Sequence, residues 1–436
     1  MDDNNHSSWG LTGQTNNDIR YIKWRNEKLP AIKEGSSLLA YGNGRSYGDS
    51  CLNKEGVTLD TRALNHLISF DPKTHILRCE PGVLLADILD NFVTKGWFVP
   101  VTPGTKFVTV GGAVANDVHG KNHHRRGSFG NHVIRLGLLR SDSETIICSR
   151  TQHPDLFSAT IGGLGLTGLI LWVDIMLMPV DASCMHVETT KFETLDQFFE
   201  LSAESEWKHE YSAGWIDCAS KKLMGRGIMM QANHCTRAMD TKKDLLPKGK
   251  NVPFNLPGFV VNNFTSKLFN TVYYNAHPSG VLEQTLCYDK FFYPMDKIKN
   301  WNRLYGKKGL FQYQCVVPLG DGKENIRSIL QEVEKNGIAS PLAVLKIFGE
   351  IESKGIMSFP RRGVTLAMDF PHKDSSELAL FNRLDSLVAD AGGAVYPAKD
   401  ARMSAENFRQ FFPKVDEFIK HVDPGFSSTF WRRVMG

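Results

Sequence analysis

The sequence predicts an α+β fold in two domains, and three observations carry that reading. The 436 residues exceed what a single hydrophobic core ordinarily organises. Up to about Pro179, short β-type runs alternate with glycine-bearing turns and few helices interrupt them. Beyond Pro179, amphipathic helical stretches are set between strands, which places a second domain over 181–394 after a first over 1–180.

Within the first domain, the runs at 37–40, 56–59, 76–79 and 169–177 read as strands between turn residues. Stretch 83–95 has apolar residues at Leu84, Leu85, Ile88, Leu89 and Phe92, the spacing of a helix face, and Gly96 stops it. In the second domain, 194–203 and 323–336 read as amphipathic helices, while 309–317 and 341–348 read as strands. Between them, 241–275 mixes Lys242, Lys243, Lys248 and Lys250 with Phe254, Leu256, Phe259, Val260, Val261 and Phe264. That mixture reads as a loop, lid or membrane-facing flap.

Composition narrows the function classes. Hydrophobic residues at 42% and charged residues at 22% belong to a globular chain able to bury a large ligand. A formal charge of +4, from 51 basic against 47 acidic residues, falls short of the basic stripe that nucleic-acid binding requires, so no nucleic-acid partner is expected. Eight scattered cysteines with no Cys-x-x-Cys pair read as reduced thiols. Residues 1–14 are polar, and no apolar run approaches the ~18 residues of a membrane span. The expectation is a cytoplasmic protein with room for peripheral contact at the inner membrane face.

Three glycine clusters carry the chemistry. Gly42-Asn43-Gly44-Arg45-Ser46-Tyr47-Gly48-Asp49 follows an apolar strand, and its close glycines let backbone N–H groups converge on an anion such as a pyrophosphate. A plain glycine-rich hairpin is the competing reading of that loop alone. Pro103-Gly104-Thr105 then leads into a second cradle, with Gly111 and Gly112 at the start of a short helix whose dipole favours phosphate oxygens. The third cluster, 162–168, matches G-x-G-x-x-G in letters only. A helical run precedes it and a strand follows, the reverse of the dinucleotide-binding order.

In this order, residues 42–49, 103–105, 111–121 and 162–168 resemble the PCMH-type FAD-binding domain of the vanillyl-alcohol oxidase family. The resemblance implies a two-domain flavoprotein: an FAD-binding domain, a substrate domain with an antiparallel sheet, and a segment 395–436 that returns to the flavin. It implies FAD contacts from Gly42, Asn43, Gly44, Arg45, Ser46, Tyr47, Gly104, Thr105, Gly111, Gly112, Asn116, His119, Gly120, Gly165, Thr167 and Tyr396. Some members tether the flavin through a histidine in the first loop. Arg45 stands there, so the resemblance implies non-covalent FAD.

Stretches 119–124, 127–132, 301–306, 311–314 and 396–402 narrow the resemblance, over nearly the whole chain, to one branch of that family. Its members oxidise the C2 hydroxyl of a polyprenyl-phosphate-linked pentose to the 2-keto sugar, the first half of an epimerisation towards a D-arabinose donor for cell-wall or surface glycans. An NAD(P)H-dependent short-chain reductase is the partner this implies for the second half.

Site candidates follow. Resemblance places Tyr396 and Lys399 over the flavin as catalytic groups; without it, a lone lysine there reads as solvated. Lys346 sits in an apolar strand and needs a partner, for which an anionic substrate or the flavin edge serves. Gln312 and Gln314 alternate onto one strand face, as a polar cavity wall or equally as a half-exposed strand. His119 and Lys121 are placed beside the flavin or the phosphate, and Ala367 in the substrate wall. Thr365 and Ala367 stand where relatives in that branch carry asparagine and cysteine. His119 and His123 also have the i, i+4 spacing of metal ligands, but Gly120 spoils a helix and no Cys or acidic residue completes a set, so no metal is expected. A soluble sugar or aldonolactone oxidase, and a non-catalytic FAD-binding protein, share the glycine loops and stay open as alternatives.

Overall fold

Short apolar strands punctuated by glycine build the first unit. The computed structural model describes residues 6–13, 18–219, 225–236, 249–373 and 375–436. Strands β1 (Ile19–Tyr21), β2 (Leu38–Tyr41) and β3 (Val57–Asp60) form a parallel sheet with β3 central. Strands β4 (Leu67–Asp71), β5 (Ile76–Cys79), β6 (Val133–Leu139), β7 (Thr145–Ser149) and β8 (Leu169–Met176) form an antiparallel sheet in the order β4-β5-β8-β6-β7.

Helix α1 (Leu85–Phe92) buries Leu85, Ile88, Leu89 and Phe92 in the same core as Leu136, Leu138, Val173 and Ile175 of that sheet. The Asp87 carboxylate accepts from the Leu84 N–H at 2.9 Å and suits the positive end of the helix. One 3₁₀ turn later, Gly96 adopts a left-handed conformation and ends the run.

The second unit is one antiparallel sheet of eight strands. These are β9 (Cys184–Phe192), β10 (Tyr211–Ile216), β11 (Gly227–His234), β12 (Val281–Cys287), β13 (Leu310–Val317), β14 (Ala343–Phe348), β15 (Gly363–Pro371) and β16 (Ala394–Val395), in the order β12-β9-β11-β10-β14-β15-β13-β16. Strand alternation gives the sheet two different faces. Tyr313, Cys315, Leu345, Leu366 and Met368 enter a core shared with helices at Leu195–Lys208, Gly322–Lys335 and Ser375–Asp390. The opposite face, with Gln312, Gln314, Val344 and Lys346, stays open to a cavity.

The helix expected over 194–203 runs on to Lys208. The loop or flap expected over 241–275 is corrected at its C-terminal end, where a thirteen-residue helix, Asn263–Asn275, is capped by Asn262. Lys242, Lys243 and Lys248 lie outside the described residues.

After Val395 the chain returns to the first unit. The Tyr47 N–H donates to Ala398 O at 2.9 Å, and the Leu38 N–H to Gly425 O at 2.7 Å. Arg433 reaches Asp49 at 2.8 Å and Asp400 at 3.0 Å. Gly48 permits this approach, since a Cβ there would lie only 1.5 Å from Asp400 O.

Candidate active site

The cavity, about 620 Å³, runs between the glycine loops and the uncovered face of the eight-stranded sheet. Its first wall is set by local hydrogen bonding. Thr109 caps the short helix Val110–Ala115 (α2), its hydroxyl accepting from the Gly112 N–H at 3.2 Å. The first glycine loop closes on that cap: a Cβ on Gly42 would sit 2.4 Å from Thr109 Oγ1. Asn43 donates to Phe107 O at 2.7 Å and ties the two loops together. Arg45 lies over the Trp9 ring at 4.2 Å, its charge disfavoured by burial.

FAD fits this wall. Two backbone cradles face the cavity, one of them at a helix start. Asn116 Oδ1 and Ser50 Oγ are buried in the lining with no partner among the described residues, which leaves them to a polar ligand. Gly104, Thr105, Gly111, Gly120 and Gly165 also line the cavity, as do Gly44, Ser46 and Tyr47. Thr167 is a correction: its hydroxyl lies 3.0 Å from that of Thr160 and does not reach the cavity.

The opposite wall gathers groups from four segments. The Tyr396 hydroxyl donates to Asn116 O at 2.8 Å, and its ring stacks on Phe359 at 4.4 Å. Burial pushes its phenol far above the ordinary range, so it acts as a neutral donor. Three residues on, Lys399 holds Nζ 4.0 Å from the centre of the Tyr47 ring. Burial pulls its ammonium down to about 8, against the charge of Asp369, which holds it up.

Lys346, from β14, is pulled down to about 7 by burial and then by the positive charges of Lys121 and Lys399. Lys121 is also brought to about 7, by burial alone, and donates to the Phe291 carbonyl at 2.6 Å. His119 links these groups: Nε2 lies 2.8 Å from Gln314 Nε2, and Nδ1 lies 3.2 Å from Lys346 Nζ. Burial and the facing lysines hold His119 neutral. If its Nε2 accepts from Gln314, its Nδ1–H points at a neutral Lys346 amine. Among the described residues no cluster suits a metal ion.

Gln312 and Gln314 thus share a cavity wall with His119, Lys121, Lys346, Tyr396 and Lys399. Ala367 is corrected in part: it pairs in register with Gln314 and Val344, yet it is not itself in the lining. A methyl is too short to project past those neighbours. Cys315 points into the core on the other face, and burial raises its thiol to about 12. Four positions went unread in the sequence, the fourth of them Asp369. Trp9 covers the cavity from the N-terminal stretch, and Trp215 and Tyr273 supply an apolar wall beside Lys346. Asp369 is buried and accepts from Gln312 at 2.5 Å.

Residues 30–149 match the family described as FAD binding domain. Over 420 residues the chain is 36% identical to decaprenylphosphoryl-beta-D-ribose oxidase of Mycolicibacterium smegmatis (strain ATCC 700084 / mc(2)155), across 93% of this chain and 90% of that protein. It is 32% identical over 377 residues to an uncharacterized protein in the mprA 5' region of Streptomyces coelicolor, across 81% of this chain and 100% of that one. L-gulonolactone oxidase of Mus musculus matches at 25% over 182 residues, or 41% of this chain and 40% of the oxidase.

Proposed function

The chain belongs to the decaprenylphosphoryl-β-D-ribose oxidase family of FAD-dependent oxidoreductases, and from that membership we propose that it oxidises the C2 hydroxyl of a polyprenyl-phosphate-linked pentose to the 2-keto sugar. This is the first half of an epimerisation towards a D-arabinose donor for cell-wall or surface glycans. One observation carries the reading: Lys121, Lys346 and Lys399, each half-buried, converge on one cavity that the FAD-binding loops also line.

When bound, FAD supplies the hydride acceptor. The chain's own residues must then place the sugar, neutralise the phosphate and take up the hydroxyl proton. Lys399, with its affinity for protons lowered by burial, offers a partly neutral amine as proton acceptor near neutral pH. Tyr396, held by Asn116 O, fixes the segment that carries it. Lys346 and Lys121 receive the phosphodiester. Each is kept short of full charge by burial, and an entering anion restores that charge and is held by it. Gln314 and His119 orient the sugar between them. Trp215 and Tyr273 present apolar surface to the first isoprene units.

A membrane source for the substrate fits helix α3 (Asn263–Asn275), whose polarity is inverted. It buries Ser266 and Asn270, at 2% and 0% exposure, while Phe264, Leu268 and Val272 stand 74%, 54% and 60% exposed on successive turns. Among the described residues no helix is long and apolar enough to cross a membrane; the contact we propose is peripheral. We place it at the cytoplasmic face, where an NAD(P)H-dependent short-chain reductase takes the keto sugar.

Anaerobic mixing of the flavin-loaded protein with polyprenyl-phosphoribose, ribose 5-phosphate, free pentoses and aldonolactones tests the function. Bleaching of flavin absorbance by the lipid-linked sugar alone is expected. Bleaching by free sugars or lactones would instead assign a soluble sugar oxidase, and no bleaching by any of them a non-catalytic FAD-binding protein.

A further inference from the structure

We propose that Asp369, which lies behind the cavity lining, is the counter-ion of Lys399 and positions that amine to receive the proton of the substrate hydroxyl. The inference rests on the oxidase reading above.

Asp369 lies in β15 directly opposite Gln312 of β13, so both side chains leave the sheet on its cavity side. It is fully buried. Oδ1 accepts from Gln312, and the backbone N–H donates to Ser340 Oγ at 3.0 Å, but Oδ2 is buried with no hydrogen-bond partner among the described residues. A carboxylate oxygen in that position persists only as an uncharged acid or beside a compensating cation. Lys399 is the cation whose field reaches Asp369. It has no hydrogen bond to Nζ among the described residues, only the face of Tyr47 beneath it.

The groups facing this pair come from every element packed on it. Tyr47 and Tyr305, near Asp369, are kept neutral by burial. On the Lys399 side stand neutral His119 and the Lys346 amine. Beyond Tyr47, Arg45 faces Asp296. Among the described residues Asp369 is therefore the one carboxylate opposed to Lys399.

As the C2–H bond gives up its hydride, the O–H proton passes to Lys399 Nζ, and the resulting ammonium is balanced by the Asp369 carboxylate. Burial pushes the Asp369 acid up to about 7, and hydrogen bonding from Gln312 and then the charge of Lys399 oppose that rise, keeping the carboxylate accessible near neutrality. In return, its negative charge strengthens the hold of Lys399 on a proton. Without Asp369 the amine is a weaker acceptor.

The test reads Lys399 itself. Competitive acylation with acetic anhydride across a pH series, quantified on the Lys399 peptide by mass spectrometry, gives the pH midpoint of its reactivity in apo and FAD-loaded protein. In Asp369→Asn the midpoint is expected to fall by about one pH unit, a tenfold loss of proton affinity. The kcat for flavin bleaching by polyprenyl-phosphoribose should fall about as much, with KM retained. An unmoved midpoint, or a rise in KM with kcat unchanged, overturns the proposal. Should that variant fail to fold, Gln312→Leu decides. Losing the Gln312 donor favours the protonated acid and weakens its field, so the midpoint should again fall, and an unmoved one overturns the pairing. The labelling needs no substrate, so a wild-type protein whose flavin never bleaches would refute the oxidase reading alone.

Discussion

Lys346 hydrogen-bonds a histidine nitrogen and the Gly120 carbonyl and meets the charges of Lys121 and Lys399, with no carboxylate acting on it among the described residues. Its proton is held more weakly in the folded protein, at about 7, than in the unfolded chain. From about pH 7 to about pH 10.5 the unfolded state therefore binds more protons than the native one, and this lysine's cost to stability shrinks as pH rises. Lys346→Met should raise the stability of the apo protein by a few kcal/mol near pH 7, because each tenfold loss of proton affinity on folding costs about 1.4 kcal/mol. The gain should fade towards pH 10.5, as urea unfolding at several pH values will show. The same variant should lose affinity for polyprenyl-phosphoribose. A uniform effect across pH would mean that Lys346 is solvated or paired in solution. Lys346 was legible in the sequence because a lysine inside an apolar strand demands a reason. Asp369 was not, because its significance lies in a cross-strand register with Gln312 that no local pattern reports. Thr167 failed for a related reason: a glycine-loop motif fixes where the backbone runs, not which way the threonine hydroxyl turns.

Among elements, the strands and helices named from the sequence lie within about five residues of the observed ones, since alternation and the i, i+4 spacing are local signals. Helix α3 was misread because its pattern is reversed. Asn270 is turned inward, donating to Asp217 Oδ1 at 2.9 Å and Ser340 O at 3.2 Å, and Tyr273 packs on Trp215 at 4.8 Å. What remains outside is phenylalanine and leucine. Phe264→Ser combined with Leu268→Ser should leave the melting temperature within a few degrees, since exposed apolar side chains contribute little to packing. It should, however, weaken sedimentation with anionic vesicles severalfold or more. Turnover of a short-chain, detergent-free substrate analogue should stay near wild type. Unchanged vesicle binding would leave the exposed face without a membrane role.

Across the whole molecule, the cavity is lined from both units and by the segment beyond Val395. FAD should stabilise the native state by mass action, and added flavin should raise the melting temperature of the apo protein in a concentration-dependent way. Acid precipitation should release the flavin into the supernatant, since Arg45 offers no nucleophile for a tether. A flavin that stays with the pellet would contradict this. Gly48→Ala would force Asp400 away from the first glycine loop and should cost both flavin and stability, by roughly 3 kcal/mol or more. The return of that segment was recognised through resemblance, because a contact between Tyr396 and Asn116 spans 280 residues and leaves no local trace. That span also orders events during synthesis. The ribosome delivers the glycine cradles first and Tyr396 and Lys399 some 280 residues after Asn116, so a partly made chain holds an unfinished flavin wall. Flavin loading then becomes a late checkpoint: chains that stall before Lys399 emerges would bind flavin poorly and could not turn it over, and they would reach the cell's proteases as apo protein rather than as a half-working oxidase.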